Sequence, residues 1–322
     1  MPAAVRRIDE LQRRRRVLGV PLAVVYKFFD DQGGYLAATL TYYSFIAIFP
    51  LMLIGTSVLG FVLQNNSALE NQVVTSALAQ FPVVGEQLGR PEGIQGSTAA
   101  VVIGSLTALY GVIGLGQAAQ NAVNTVWAIP RNSRLNPVVS RIRSLLWMVL
   151  AGLGLVVVAL VSSLGGTSFL GLEWVARVVA VVLATIVLGV MMRLSTPQRE
   201  TLREVLPGAL MIAVLWQLLQ AFGGAYVEHV VKRASEMNGV FALVLGLVAF
   251  IYIAAVMAIL GLELNVVLAK RLYPRALLTP FTDAVSLTDA DVRVYTDYAR
   301  AQRHKGFERI QVTFEHDAQG DD

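Results

Sequence analysis

Apolar residues in this chain are gathered into long continuous blocks separated by shorter polar stretches, not spread at the period of a half-buried strand or a surface helix. Six blocks stand at about 36–63, 98–120, 144–165, 174–195, 205–226 and 240–268. Each reaches or approaches the roughly 20 residues that a helix needs to cross about 30 Å of hydrocarbon. The blocks do not alternate, and they are too long for barrel strands, so the pattern predicts membrane helices. Pro50 falls inside the first span, where neighbours can satisfy the freed carbonyl. Pro207 is expected in the first turn of the fifth, a place that suits proline.

The polar stretches assign sidedness. With the N-terminus inside, seven Lys/Arg precede the first span and four (Arg131, Arg134, Arg141, Arg143) separate spans two and three. Three more (Arg193, Arg199, Arg203) flank spans four and five, and eight follow span six. Arg90, Lys232 and Arg233 fall outside, and Arg177 lies within span four, close enough to its outer end to snorkel. Basic residues accumulate on the cytoplasmic side of short loops, so this bias specifies six spans with both termini cytoplasmic. Trp127, Trp147, Trp174 and Tyr226 fall near span ends, as interfacial aromatics do.

The fold class that follows is all-α, a polytopic six-helix bundle in three parts: a basic cytoplasmic or interfacial segment over 1–35, the membrane domain over 36–270, and a cytoplasmic tail over 271–322. VPLAVVYKFFDD (20–31) suits the headgroup layer. The exterior loop 64–97 holds NQVVTSALAQF, which reads as a short amphipathic helix. In the tail, Thr288 with Asp291 three residues later opens a soluble helix that ends near Lys305 and Gly306. FERIQVTF (307–314) alternates as a strand does, and DAQGDD reads as disordered. A 3+3 inverted repeat stays open.

Composition narrows the chemistry. The chain is 55% apolar and 15% charged, against about 25% charged in average soluble domains. It has no cysteine, and its three histidines (His229, His304, His316) form no HxxxH pair, so thiolate chemistry and a zinc-hydrolase motif are absent. There is no GxxxxGK[ST] phosphate loop, and no cofactor or metal is expected. The arginine-rich start lacks the apolar run and cleavage site of a secretory signal and fits a juxtamembrane segment on anionic headgroups.

Polar groups inside the spans are the candidates for function. Gln117, Gln120, Asn121 and Asn124 recur at 0, 3, 4 and 7 and share one helix face at the inner end of span two. Thr39, Thr41, Tyr42, Tyr43 and Ser44 lie at the same depth in span one, and Glu263 and Asn265 close span six. These sets are candidates to line a polar vestibule open to the cytoplasm. Amides and hydroxyls equally join membrane helices, at about 0.6–2 kcal/mol per contact. Gln217, Gln220 and Tyr226 read as helix contacts, and Gly111, Gly114, Gly116, Gly152, Gly154, Gly223 and Gly224 as sites of close packing.

AATLTYYSFIAIFPL (37–51), QNAVNTVWAI (120–129), LREVLPGALMIAVLWQLLQAFGGAYV (202–227) and NGVFALVLGLVAFIYIAAVMAILGLELNVVLAK (238–270) together resemble the YihY/BrkB family of bacterial inner-membrane proteins, once labelled ribonuclease BN. This chain departs from the family pattern at Met237-Asn238-Gly239 and at Phe250-Ile251-Tyr252. The resemblance implies transport of anionic lipid or of a lipid-linked envelope precursor, with Arg131, Arg134, Arg193 and Arg199 flanking the vestibule to receive its headgroup, a part in envelope integrity, and membrane lipids and envelope proteins as partners. A non-transporting scaffold is the alternative. A ribonuclease or lipid hydrolase ranks last, because no paired acids, metal cluster or nucleophile set stands out, and no nucleic acid is expected. Oligomeric state is not legible.

Overall fold

The structure, a computed structural model, describes residues 9, 12, 16–62, 98–164, 172–195, 201–231, 236–277 and 286–314. The exterior loop 64–97 and its expected helix, the far C-terminus, Arg90, Arg199, Lys232 and Arg233 lie outside the described residues. All the described secondary structure is helical. Helix α1 spans Arg16–Asp30, α2 Gly33–Val62, α3 Thr98–Val126, α4 Pro137–Leu164, α5 Leu172–Ser195, α6 Leu202–Tyr226, α7 Glu236–Ala269 and α8 Asp289–Ala301. A short 3₁₀ turn, Arg131–Ser133, lies between α3 and α4, and a π-turn, Val227–Val231, extends α6.

The six long helices α2–α7 contain the six apolar blocks. Among the described residues, four of them are long and apolar enough to cross a membrane, over Pro137–Gly154, Arg177–Ser195, Leu202–His229 and Phe241–Ala269, while α2 and α3 are 30 and 29 residues long. Each packs on its neighbours in the chain, and α7 returns to pack on α2, so the helices close a ring in chain order. Successive helices alternate in direction. Gln120 near the end of α3 meets Ser144 near the start of α4, and Asn265 near the end of α7 meets Gly208 near the start of α6.

Pro207 sits differently from the expectation. Helix α6 begins at Leu202, after Thr201, whose N–H donates to Glu204 Oε2 at 2.8 Å, so the proline falls in the second turn. There it removes an interior donor. Asn265 of α7 is inserted at that point, accepting from Gly208 N–H at 2.7 Å and donating to Val205 O at 3.1 Å. Gly208 allows this approach, since a Cβ there would stand 2.0 Å from Gly261 O. Elsewhere, Gly111, Gly114, Gly116 and Gly154 lie against Ala47, Tyr43, Ser144 and Val187, whereas Gly152 and Gly224 face open space.

One end of the ring is covered. Helix α1 packs on α7, and buries Ala23, Val24, Tyr26 and Lys27. Its other face presents Val17, Pro21, Val25 and Phe29, spaced every four residues and accessible. The sequence predicts an interfacial segment here, with no helix assigned to it. The structure adds that half of α1 is committed to protein, with the lysine on the protein side. Helices α3 and α7 end at this face in left-handed turns at Ala128 and Arg271, after which Ile129 and Leu272 plug into the core and donate to Asn124 O and Val267 O. The stretch 307–314 forms no strand, because no neighbouring strand is present among the described residues to pair with it.

Candidate functional site

The covered end is built around charge withdrawn from water. Lys27 and Asp31 stand one helical turn apart at the junction of α1 and α2, and packing α1 on α7 sets them beside Glu263. Lys27 Nζ pairs with Asp31 Oδ2, donates to Val126 O at 3.0 Å and lies 3.6 Å from Glu263 Oε2. Tyr298 of α8 closes the group, its ring centroid 5.2 Å from the ammonium. Glu263 is 0% exposed. Burial disfavours the Lys27 cation, but Glu263 and Asp31 outweigh it and hold the amine above its ordinary range. Burial, then Asp31 and Asp30, push the Tyr298 phenol upward, so it stays neutral.

A second node sits on the segment that follows α7. Arg275, 0% exposed, pairs with Asp291 of α8 and with Asp30 of α1 at 3.0 Å, and lies over the Tyr295 ring. Burial works against the guanidinium, and Asp291 and Asp30 more than restore it. Asp30 itself is raised, because burial exceeds the opposing pull of Arg275. Asp291 also accepts from Ala276 N–H at 3.0 Å and from Thr288 N–H at 2.9 Å, joining the start of α8 to the arginine segment. Lys270 spans from Asp297 at 2.8 Å to Trp127 O at 3.0 Å. Together these contacts pin α1, α3, α7 and α8 to one another.

The predicted site residues divide into two groups. Gln120, Glu263 and Asn265 are buried between helices, each in a different interface. Gln120 donates to Ser140 O and Ser144 Oγ, both at 2.9 Å, and accepts from Ser140 Oγ, which stitches α3 to α4. Asn265 joins α7 to α6 and also reaches Met192 of α5. Thr41 is buried and bonds its own helix at Ala37 O. Tyr226 Oη donates to Ala242 O, as a helix contact should.

Tyr42, Tyr43, Gln117, Asn121 and Asn124 belong to the second group, which lies along α2 and α3. Tyr43 packs over Gly114 with its ring 6.0 Å from that of Tyr110, and Tyr42 meets Tyr43 edge-on at 5.1 Å. Tyr42 and Asn121 are accessible, and Gln117 and Asn124 are half-buried. On α2, Tyr35, Thr39 and Tyr42 recur at 0, 4 and 7, all accessible. On α3, Tyr110, Gln117 and Asn121 recur at 0, 7 and 11. The contacts of Ala47 with Gly111 and of Tyr43 with Gly114 fix an antiparallel register that sets Thr39 level with Gln117 and Tyr35 level with Asn121. A strip of hydroxyls and amides therefore runs from the covered end to mid-bundle.

Of the predicted headgroup arginines, Arg131 and Arg193 are exposed at the covered end. Arg134 is half-buried, donates to Ile129 O at 3.2 Å, and is lowered by burial and then by Arg131. Asp30, Arg275 and Asp291 were not singled out from the sequence as a set. The i,i+4 spacing of Lys27 and Asp31 and the Thr288–Asp291 pair were the visible signals, but neither names a partner far along the chain.

No curated protein and no solved structure matches the chain. A family described as Virulence factor BrkB matches residues 24–283, which takes in the ring, the arginine segment and the second half of α1. The protein is a multi-pass membrane protein of the BrkB family.

Proposed function

We propose that this protein crosses a bacterial inner membrane six times, with the covered end and both termini in the cytoplasm. It moves anionic lipid, or a lipid-linked envelope precursor, along the α2–α3 strip, and in doing so supports envelope integrity. It does so without catalysing a reaction. The observation that carries this reading is the strip itself: Asn121 and Tyr42 remain accessible on helices otherwise dominated by apolar residues, where an unshared polar group is costly against lipid. A headgroup travelling past hydroxyls and amides would keep hydrogen-bond partners while its chains stay in hydrocarbon. Exposed Arg131 and Arg193 stand at the end where an anionic headgroup would enter.

The test is lipid movement in liposomes holding the purified protein, with fluorescent anionic and zwitterionic lipids compared. Anionic lipid should move faster than in empty liposomes. Asn121→Leu should slow it by about tenfold, as expected when one hydrogen-bonding group worth about 1.4 kcal/mol is removed. Folded protein that moves neither lipid would sink the transport reading and leave a scaffold in its place.

A further inference from the structure

The cover buries more acid than base. Asp30, Asp31, Glu263 and Asp291 surround Lys27 and Arg275, four carboxyls against two cations. Asp291 is well served by Arg275 and two backbone N–H groups, and Asp30 has Arg275. The deficit falls on the other node. Both oxygens of Glu263, Asp31 Oδ1 and Tyr298 Oη are buried without a hydrogen-bond partner among the described residues. Three of those four atoms can only accept while their carboxyls are ionised, and both carboxyls face the one Lys27 ammonium. Lys27 does not make up the shortfall, since its contacts go to Asp31 Oδ2 and Val126 O and it stands 3.6 Å from Glu263.

Adjacent carboxylates in a site closed to water cannot both stay ionised cheaply, and one proton between them supplies the missing donor. The groups facing the pair are Lys27 and Asp30 from α1 and Tyr298 from α8, with Arg275 beyond Asp30 and the Val126 carbonyl from α3. A metal ion is a poorer fit, because no group of three or more His, Cys, Asp or Glu is placed to hold one among the described residues.

We propose that Asp31 and Glu263 form a proton-binding site that latches the cover, holding one proton between them while α1 and α8 are seated and releasing it when these helices lift from α7. The sign follows from linkage. The seated state holds a proton that the lifted state, with both carboxyls in water, gives up at neutral pH. Raising the pH therefore favours lifting, by at most about tenfold in the equilibrium per pH unit for a single proton. The latch does not depend on lipid movement and can be read without any lipid substrate.

The chain has no cysteine, so an introduced thiol reports alone. Val294→Cys places one on the buried side of α8, and Phe307→Cys places one on an exposed residue to correct for the pH dependence of the thiol itself. In nanodiscs, the maleimide labelling rate of the first, divided by that of the second, should rise several-fold between about pH 6 and about pH 9. Glu263→Gln, whose amide supplies the donor permanently, should flatten that rise, as should Asp31→Asn. A flat ratio in the parent, or a rise that survives both substitutions, overturns the latch. Infrared spectra of the unsubstituted chain at about pH 7 should show a protonated-carboxyl band that moves with 13C-labelled Glu or Asp. Absence of that band overturns the site even if neither variant folds.

Discussion

At the scale of single residues, the side chains that hold the bundle together are polar ones with fixed backbone targets. Asn265 is the clearest. Its amide serves Gly208 N–H and Val205 O in a helix that Pro207 has already deprived of a donor. Asn265→Leu should destabilise the bundle by about 1–3 kcal/mol, measured as loss of helical signal against denaturant in detergent, because it leaves these backbone groups buried and unpaired. Gly208→Ala should do at least as much harm, since its Cβ would meet backbone and not a movable side chain. Sequence alone flagged Asn265, Gln120 and Glu263 as polar groups in apolar surroundings. It could not say that they face three different interfaces, because helical spacing gives the face of one helix and not the identity of its neighbour. Glu263, at the closing end of span six, is fully buried, because α1 and α8 lie over it.

At the scale of elements, α1 and α8 carry what local pattern could not resolve. The apolar and aromatic content of 20–31 predicts an interfacial segment, and the helix found there carries an accessible row of Val17, Pro21, Val25 and Phe29. The opposite face seats on α7 through charges whose partners lie more than two hundred residues away, beyond the reach of any local rule. The start of α8 was legible because a helix N-terminus is a local event, and the segment 307–314 was misread because strand pairing is not. Arg275→Met should release the cover by leaving Asp30 and Asp291 buried without their cation, at a cost of about 3–5 kcal/mol. Faster labelling of an introduced thiol at position 294, unaccompanied by loss of helix in the ring, is the expected result. The raised Asp30 points the same way as the latch: an acid that the seated cover holds above its ordinary range favours seating as the pH falls and weakens it as the pH rises through that range.

At the scale of the whole molecule, the apolar blocks legible in the sequence became the six long helices, and their order in the chain became their order around the ring. That order has a consequence for how the protein is made. Helix pairs that are adjacent in the chain can dock as soon as the second of them emerges from the ribosome, but the seam between α2 and α7 cannot form until nearly everything else exists. Lys27 and Asp30 are translated more than two hundred residues before Glu263 and Arg275. Through most of synthesis α1 therefore has nothing to seat on. Its apolar row suits it to wait on the membrane surface with its charges in water, and closing the ring is the step that withdraws them.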